Sequence, residues 1–263
     1  MKLFNNFRKI VLVVEYNGER YYGFQWQMDL PTIQSELEKA ISKVTGETVR
    51  VLCASRTDTG VHATGQVVSF RTASNLTPGV MVRALNYYLP RDISVRGACD
   101  VSESFNVQKH ALSREYEYKI LNSSIRSPLA EGLSYLVMSK LKIEEMKSAC
   151  KILEGEHDLA SFVTSLQGIR STKRTIYEAS VTKEGDTVTF HIVANSFMPH
   201  QVRNTVGLLI RVGSGKVMIE EFKQIIEKKT PGLAGPTVPA LGLCLTRVNY
   251  PNDSEFKYEN LFN

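Results

Sequence analysis

Arg56-Thr57-Asp58-Thr59-Gly60-Val61-His62-Ala63-Thr64-Gly65-Gln66 is the stretch on which the reading of this chain turns. It lies between two runs that read as strands, 48–54 and 66–71. Its glycines, threonines and single aspartate make the intervening 55–65 a structured loop. Arg56 and Asp58 are two residues apart, so an extended backbone sends both side chains off one face. On the residues alone, two readings of Asp58 stand. It could close an Asp-x-Gly turn on its own backbone, with Arg56 in a surface ion pair, or it could be a carboxylate offered to a substrate.

Upstream of that loop, 9–15 (KIVLVVE) is a β-branched strand running into a loop, 16–27, full of Gly, Tyr and Gln and holding Trp26. Ile33, Leu37, Ala40, Ile41 and Val44 recur at helical spacing and predict a helix over 32–45, which Gly46 ends. Downstream, Thr77-Pro78 is a helix entry, with proline at the first helical position, and Val80, Ala84, Leu85 and Tyr88 follow at helical period. A strand over 93–101 closes an α+β half of about 100 residues.

A second half follows. The run 113–121 alternates, placing Arg114, Tyr116, Tyr118 and Ile120 on one strand face and Glu115, Glu117 and Lys119 on the other. Ile143, Met146, Cys150 and Leu153 mark a helix; 174–182 and 187–194 read as strands joined by a Glu184-Gly185-Asp186 turn. Val202, Val206, Leu209 and Ile210 mark another helix, Phe222, Ile225 and Ile226 a further one, and 242–248 a closing strand. The predicted class is α+β: two RRM-like or ferredoxin-like halves, 1–105 and 106–263, whose antiparallel sheets meet at a central cleft with helices behind.

Composition sets the setting. With 43% apolar and 22% charged residues, the 263-residue chain has ample material for a core. Its longest apolar run near the N-terminus, 10–14, is too short for a signal or membrane segment, so a cytoplasmic protein is expected. Cys53, Cys99, Cys150 and Cys244 are scattered without a CxxC pair or zinc spacing, which makes them small buried residues rather than a disulfide or metal framework. The net charge is +5, and no acid occurs over 59–91 or 187–219, while Arg71, Arg83, Arg91, Arg203, Arg211 and Lys216 do. Such stretches suit a surface facing a polyanion, and they equally suit buried core, where carboxylates are rare.

The stretch RTDTGVHATGQVVSF (56–70) resembles the signature loop of the TruA family of tRNA pseudouridine synthases. YYGFQWQ (21–27), NYYLPRDI (86–93), SREYEYKI (113–120), FMPHQVRNTVG (197–207) and AGPTVPALGLCL (234–245) follow in the family's order. The resemblance implies the pseudouridine synthase fold and an isomerase that converts uridine to pseudouridine in the tRNA anticodon stem-loop, at positions 38–40. It implies tRNA as partner, a homodimer, and no cofactor or metal, because isomerisation conserves atoms and oxidation state.

The same resemblance implies Asp58 as the catalytic nucleophile, Arg203 as its ion-pair partner, and Tyr116 as the ring that stacks on the target uracil. Arg56 is expected to help extrude the nucleotide and Gln25 to touch RNA; Trp26 stands where the family more often has arginine. Tyr118 is expected to pack in the core. An ionised carboxylate can add to the sugar or the base, or take a proton in a glycal route, and the residues leave these three open. Two other functions stand as alternatives. A non-catalytic RNA-binding protein with RRM-like halves would show an aromatic RNP1 submotif, which is not evident. A hydrolase would need a second carboxylate, and none accompanies the loop until Asp92.

Overall fold

The computed structural model describes residues 7–257. They fall in two compact units, one comprising residues 7–112 with 245–257 and the other Ser113–Cys244. The long segment of the first unit ends at Leu112. The closing strand, however, belongs mainly to the first unit. Sequence order cannot show this, because strand pairing is set by long-range contacts rather than by neighbourhood along the chain.

In the first unit the elements run β1 (Arg8–Tyr16), α1 (Ile33–Thr45), β2 (Leu52–Cys53), β3 (His62–Thr72), α2 (Pro78–Tyr88) and β4 (Ile93–Val101). β1 lies between β4 and β3 and pairs antiparallel with both. That central place explains its unbroken apolar run: Ile10 through Val14 are fully buried, as a strand covered on both faces requires. Helix α1 starts at a capping box between Thr32 and Ser35 and ends at Gly46, whose φ of 75° is the left-handed cap that glycine supplies without strain. The last strand among the described residues, β10 (Leu243–Asn249), adds to this sheet beside β3.

The second unit holds β5 (Ser113–Leu121), β6 (Tyr135–Leu136), α3 (Ile143–Leu153), β7 (Gly155–Asp158), β8 (Lys173–Glu184), β9 (Thr187–Ala194), α4 (Gln201–Gly213) and α5 (Ile219–Lys228). β10 (Leu243–Asn249) begins at its end and runs into the first unit. Its sheet orders β5-β9-β8-β7, antiparallel throughout, with short β6 parallel to β5. The expected alternation of β5 is observed: Arg114, Tyr116, Tyr118 and Ile120 are buried, while Glu115, Glu117 and Lys119 face outward.

Two expectations are corrected. The strand predicted over 48–54 shrinks to Leu52–Cys53. The preceding residues dock on α1 instead, since Val51 donates its N–H to Glu38 Oε1 (2.9 Å) and accepts at its carbonyl from Gln34 Nε2 (3.1 Å). The apolar stripe read on α4 is too narrow. Gln201, Asn204, Thr205, Leu208 and Gly213 are buried along with Val202, Val206 and Leu209, so the helix is enclosed over most of its circumference. That enclosure, with β9, accounts for much of the acid-free 187–219. Among the described residues no helix is long and apolar enough to cross a membrane.

Candidate active site

Asp58 sits in the loop between β2 and β3, and nearly every residue around it is used to fix the backbone. Thr57 is buried, its Oγ1 within 2.8 Å of the Tyr16 hydroxyl, and its carbonyl accepts from the Phe24 N–H at 3.1 Å. Gly60 takes a φ of 79°, and its N–H donates to the Tyr21 carbonyl (3.2 Å) while Val61 N–H donates to the Asp58 carbonyl (3.1 Å). A side chain at Gly60 would strain that turn. Gly18 donates its N–H to His62 Nδ1 at 3.1 Å, and Gly23 passes so close that a Cβ would lie 2.7 Å from the Thr57 carbonyl oxygen.

Gln66 is the deepest of these fasteners. It is fully buried at the start of β3's core section. Its Nε2 donates to the Ser55 carbonyl (2.6 Å), and its Oε1 accepts from the Ser55 and Val67 N–H groups (3.3 and 3.2 Å). At Gly65 a Cβ would be driven into the Thr246 carbonyl of β10, so only glycine lets β10 lie there. The loop's glycines, His62 and Gln66 are therefore scaffold. Asp58, half-buried, is the acidic group they hold in place, and Arg56 two residues away is exposed.

The N-terminal loop is stitched to this one through Phe24 and Tyr21. Tyr21 in turn donates its hydroxyl to Asp92 Oδ1 at 2.5 Å; burial first, then that bond, lifts its pKa well above the usual phenol range. Asp92 is thus a structural acceptor. Gln25, in the same loop, is exposed.

In the second unit Tyr116 and Arg203 belong to one assembly. Tyr116, only 5% exposed, sets its ring edge-to-face against Phe197 at 5.2 Å between centroids. Phe197 opens the segment that enters α4 through His200, a non-glycine residue at φ 61°. Arg203, on the first turn of α4, donates from Nε to the Val238 carbonyl at 2.8 Å. Tyr118, on the buried face of β5 with Tyr116, donates its hydroxyl to the Pro239 carbonyl (2.7 Å). Burial raises the Tyr118 hydroxyl far above its ordinary pKa, and the nearby Arg203 charge pulls the other way. Tyr118 is a core residue, as expected.

The segment 235–239 is a strap along α4. Asn204 Oδ1 accepts from Thr237 Oγ1 at 2.5 Å, Arg211 Nη1 donates to the Gly235 carbonyl at 3.0 Å, and a Cβ on Gly207 would strike the Pro236 carbonyl oxygen. The mid-helix glycine thus marks the close approach that its helix cost implies. Phe197 and this strap lie in segments that carry the family resemblance, but the strap's role has no signal in the residue pattern, because backbone carbonyl acceptors carry no side-chain signal.

A family model described as tRNA pseudouridine synthase matches residues 12–108 and 149–251 of this chain. "tRNA pseudouridine synthase A" of Thermoanaerobacter sp. (strain X514) is 41% identical over 243 residues, covering 92% of this chain and 100% of that protein. The protein of the same name from Blochmanniella pennsylvanica is 42% identical over 246 residues, 94% of each chain, and that of Photobacterium profundum is 41% identical over 246, 93% of this chain and 94% of that one. A chain of a solved Cbf5-Nop10-Gar1 complex aligns at a TM-score of 0.35 and 13% identity, over 76% of this chain and 54% of that one, a likeness too slight to carry weight.

Proposed function

The chain belongs to the TruA-type tRNA pseudouridine synthase family, and on that footing we propose that it isomerises uridine to pseudouridine in the anticodon arm of tRNA, at positions 38–40, with Asp58 as the reacting carboxylate. The reaction breaks the N-glycosidic bond, turns the uracil and joins C5 to C1′. The observation that carries this reading is the loop around Asp58: Tyr16, Tyr21, Phe24 and Gln66 all bond to it, yet the acid itself stays half-buried rather than sealed in the core. A carboxylate held that firmly is preorganised to attack, so little ordering remains to be done when substrate arrives.

On this reading Arg203 supplies the cation that keeps Asp58 charged as solvent is displaced, and its anchorage to the Val238 carbonyl fixes where that charge sits. Tyr116 offers its ring to the extruded uracil, backed by Phe197. Exposed Arg56 reaches toward the RNA to offset lost base stacking, and Gln25 adds a polar contact. The working form is a homodimer in the cytoplasm, binding tRNA through its phosphates.

Base-resolved pseudouridine mapping of an unmodified tRNA transcript after incubation with the protein tests this reading. New pseudouridine confined to 38–40 is expected; a transcript left unchanged by folded protein would refute it. Because atoms and oxidation state balance, turnover on an isolated anticodon stem-loop is also expected to be the same with and without a chelator. Activity on that stem-loop that vanished with chelator and returned with a transition metal would contradict the route.

A further inference from the structure

The chain holds a single tryptophan, Trp26, and it is 44% exposed in the loop stitched to the Asp58 loop. What is informative about it is the set of side chains built around the ring. The Arg50 guanidinium lies over the ring, 6.0 Å from the centroid. This pairing is built rather than accidental. Buried Gln34 accepts from the Trp26 backbone N–H at 2.9 Å through Oε1 and donates through Nε2 to the Val51 carbonyl at 3.1 Å, so one side chain ties both partners' segments together. Glu38 completes the frame: its Oε1 accepts from Val51 N–H and from Gln34 Nε2 (2.7 Å), and its Oε2 lies 3.7 Å from Arg50 Nη1.

We propose that Trp26, with Arg50 over its ring, is a stacking platform for an unpaired base of the substrate RNA close to the target uridine. The proposal rests on the tRNA-modifying function proposed above and adds a subsite to it. Two features select RNA as the occupant. A flat indole with a cation beside it matches a nucleobase with its phosphate, since the ring takes the base and the guanidinium the charge. The position is also close to the chemistry: Trp26 is two residues from Phe24, whose N–H is bonded to Thr57, next to Asp58. Two residues span at most about 7 Å, which keeps Trp26 in the neighbourhood of the Asp58 loop.

The lone tryptophan is its own reporter. In the intact Asp58→Asn protein, where turnover is blocked, titration with an unmodified anticodon stem-loop is expected to quench the tryptophan emission saturably, along the same curve as binding read from the anisotropy of labelled RNA. In the otherwise wild-type protein, Trp26→Ala should raise KM roughly tenfold to a hundredfold, the loss of one base stack, with kcat within about twofold. Trp26→Phe, which keeps a ring, should recover most of that loss. Arg50→Gln should lower the slope of log affinity against log salt by about one. Emission unchanged at saturating RNA, or a Trp26→Ala enzyme with unaltered KM, would overturn the proposal. Pseudouridine formation by the wild-type protein is read separately: its presence with flat emission overturns this subsite alone, and its absence overturns the function and the subsite with it.

Discussion

Gln66 shows what the signature loop is for at the scale of single residues. It supplies three hydrogen bonds that close the mouth of the loop, two of them to Ser55. Gln66→Leu keeps the volume but leaves the Ser55 N–H and carbonyl without their partner, and a buried unpaired polar group costs about 1–3 kcal/mol. Denaturant unfolding of the variant is expected to show a loss of roughly 2 kcal/mol, together with a fall in kcat, because the backbone that aims Asp58 loosens. An unchanged midpoint with full activity would mean that water or a neighbour replaces Gln66. Arg203 separates charge from shape in the same way. Arg203→Lys is expected to retain more activity than Arg203→Ala, since lysine keeps the cation but not the planar fork that reaches Val238. Equal losses in single-turnover assays would show that shape alone matters.

Helices and strands were legible where one element carried its own punctuation. α1 has its cap at Thr32 and its stop at Gly46, and the structure places it over Ile33–Thr45. β9 was read to the residue, because alternation is unambiguous for a strand with one solvated face. Three things were hidden: the docking of Val51 on α1, the enclosure of α4, and the return of β10 to the first unit. Each depends on partners distant in sequence, which no local period encodes. Of the candidate site, Asp58, Arg203 and Tyr116 came from the family resemblance, whereas the contacts that support them, Phe197 against Tyr116 and the 235–239 strap along α4, came only with coordinates. The strap makes Gly207 decisive at this scale. Gly207→Ala drives a methyl into the Pro236 carbonyl, so α4 and the strap must part. A loss of about 1–3 kcal/mol is expected from thermal unfolding, with activity falling further as Arg203 loses its fixed acceptor. A stabilised variant, the ordinary result of Gly→Ala in a helix, would contradict the close approach.

Taken as a whole, the molecule carries several weak acids whose folded state favours the proton. Burial pushes the Cys99 thiol up to about 11, with Asp100 adding to it, and the Cys150 thiol up to about 12. Tyr21 and Tyr118 are raised as well. A raised pKa means that the fold keeps a proton the unfolded chain releases. The resulting stability is intact below the ordinary thiol value of 9.0 and is lost as pH climbs from there toward 11 and 12. The thermal midpoint should thus be insensitive to these groups below about pH 9 and fall above it; a midpoint constant between about pH 9 and pH 11 would contradict their burial. Whether a rigidly framed Asp58 performs the isomerisation on tRNA is decided by single-turnover pseudouridine formation with Asp58→Asn beside an RNA-binding titration of the same protein. Asparagine has the same shape but neither ionises nor attacks, so turnover is expected to fall by about 10⁴-fold or more while RNA affinity stays within about threefold. Pseudouridine formed at near wild-type rate by the folded Asp58→Asn protein would remove Asp58 from the chemistry.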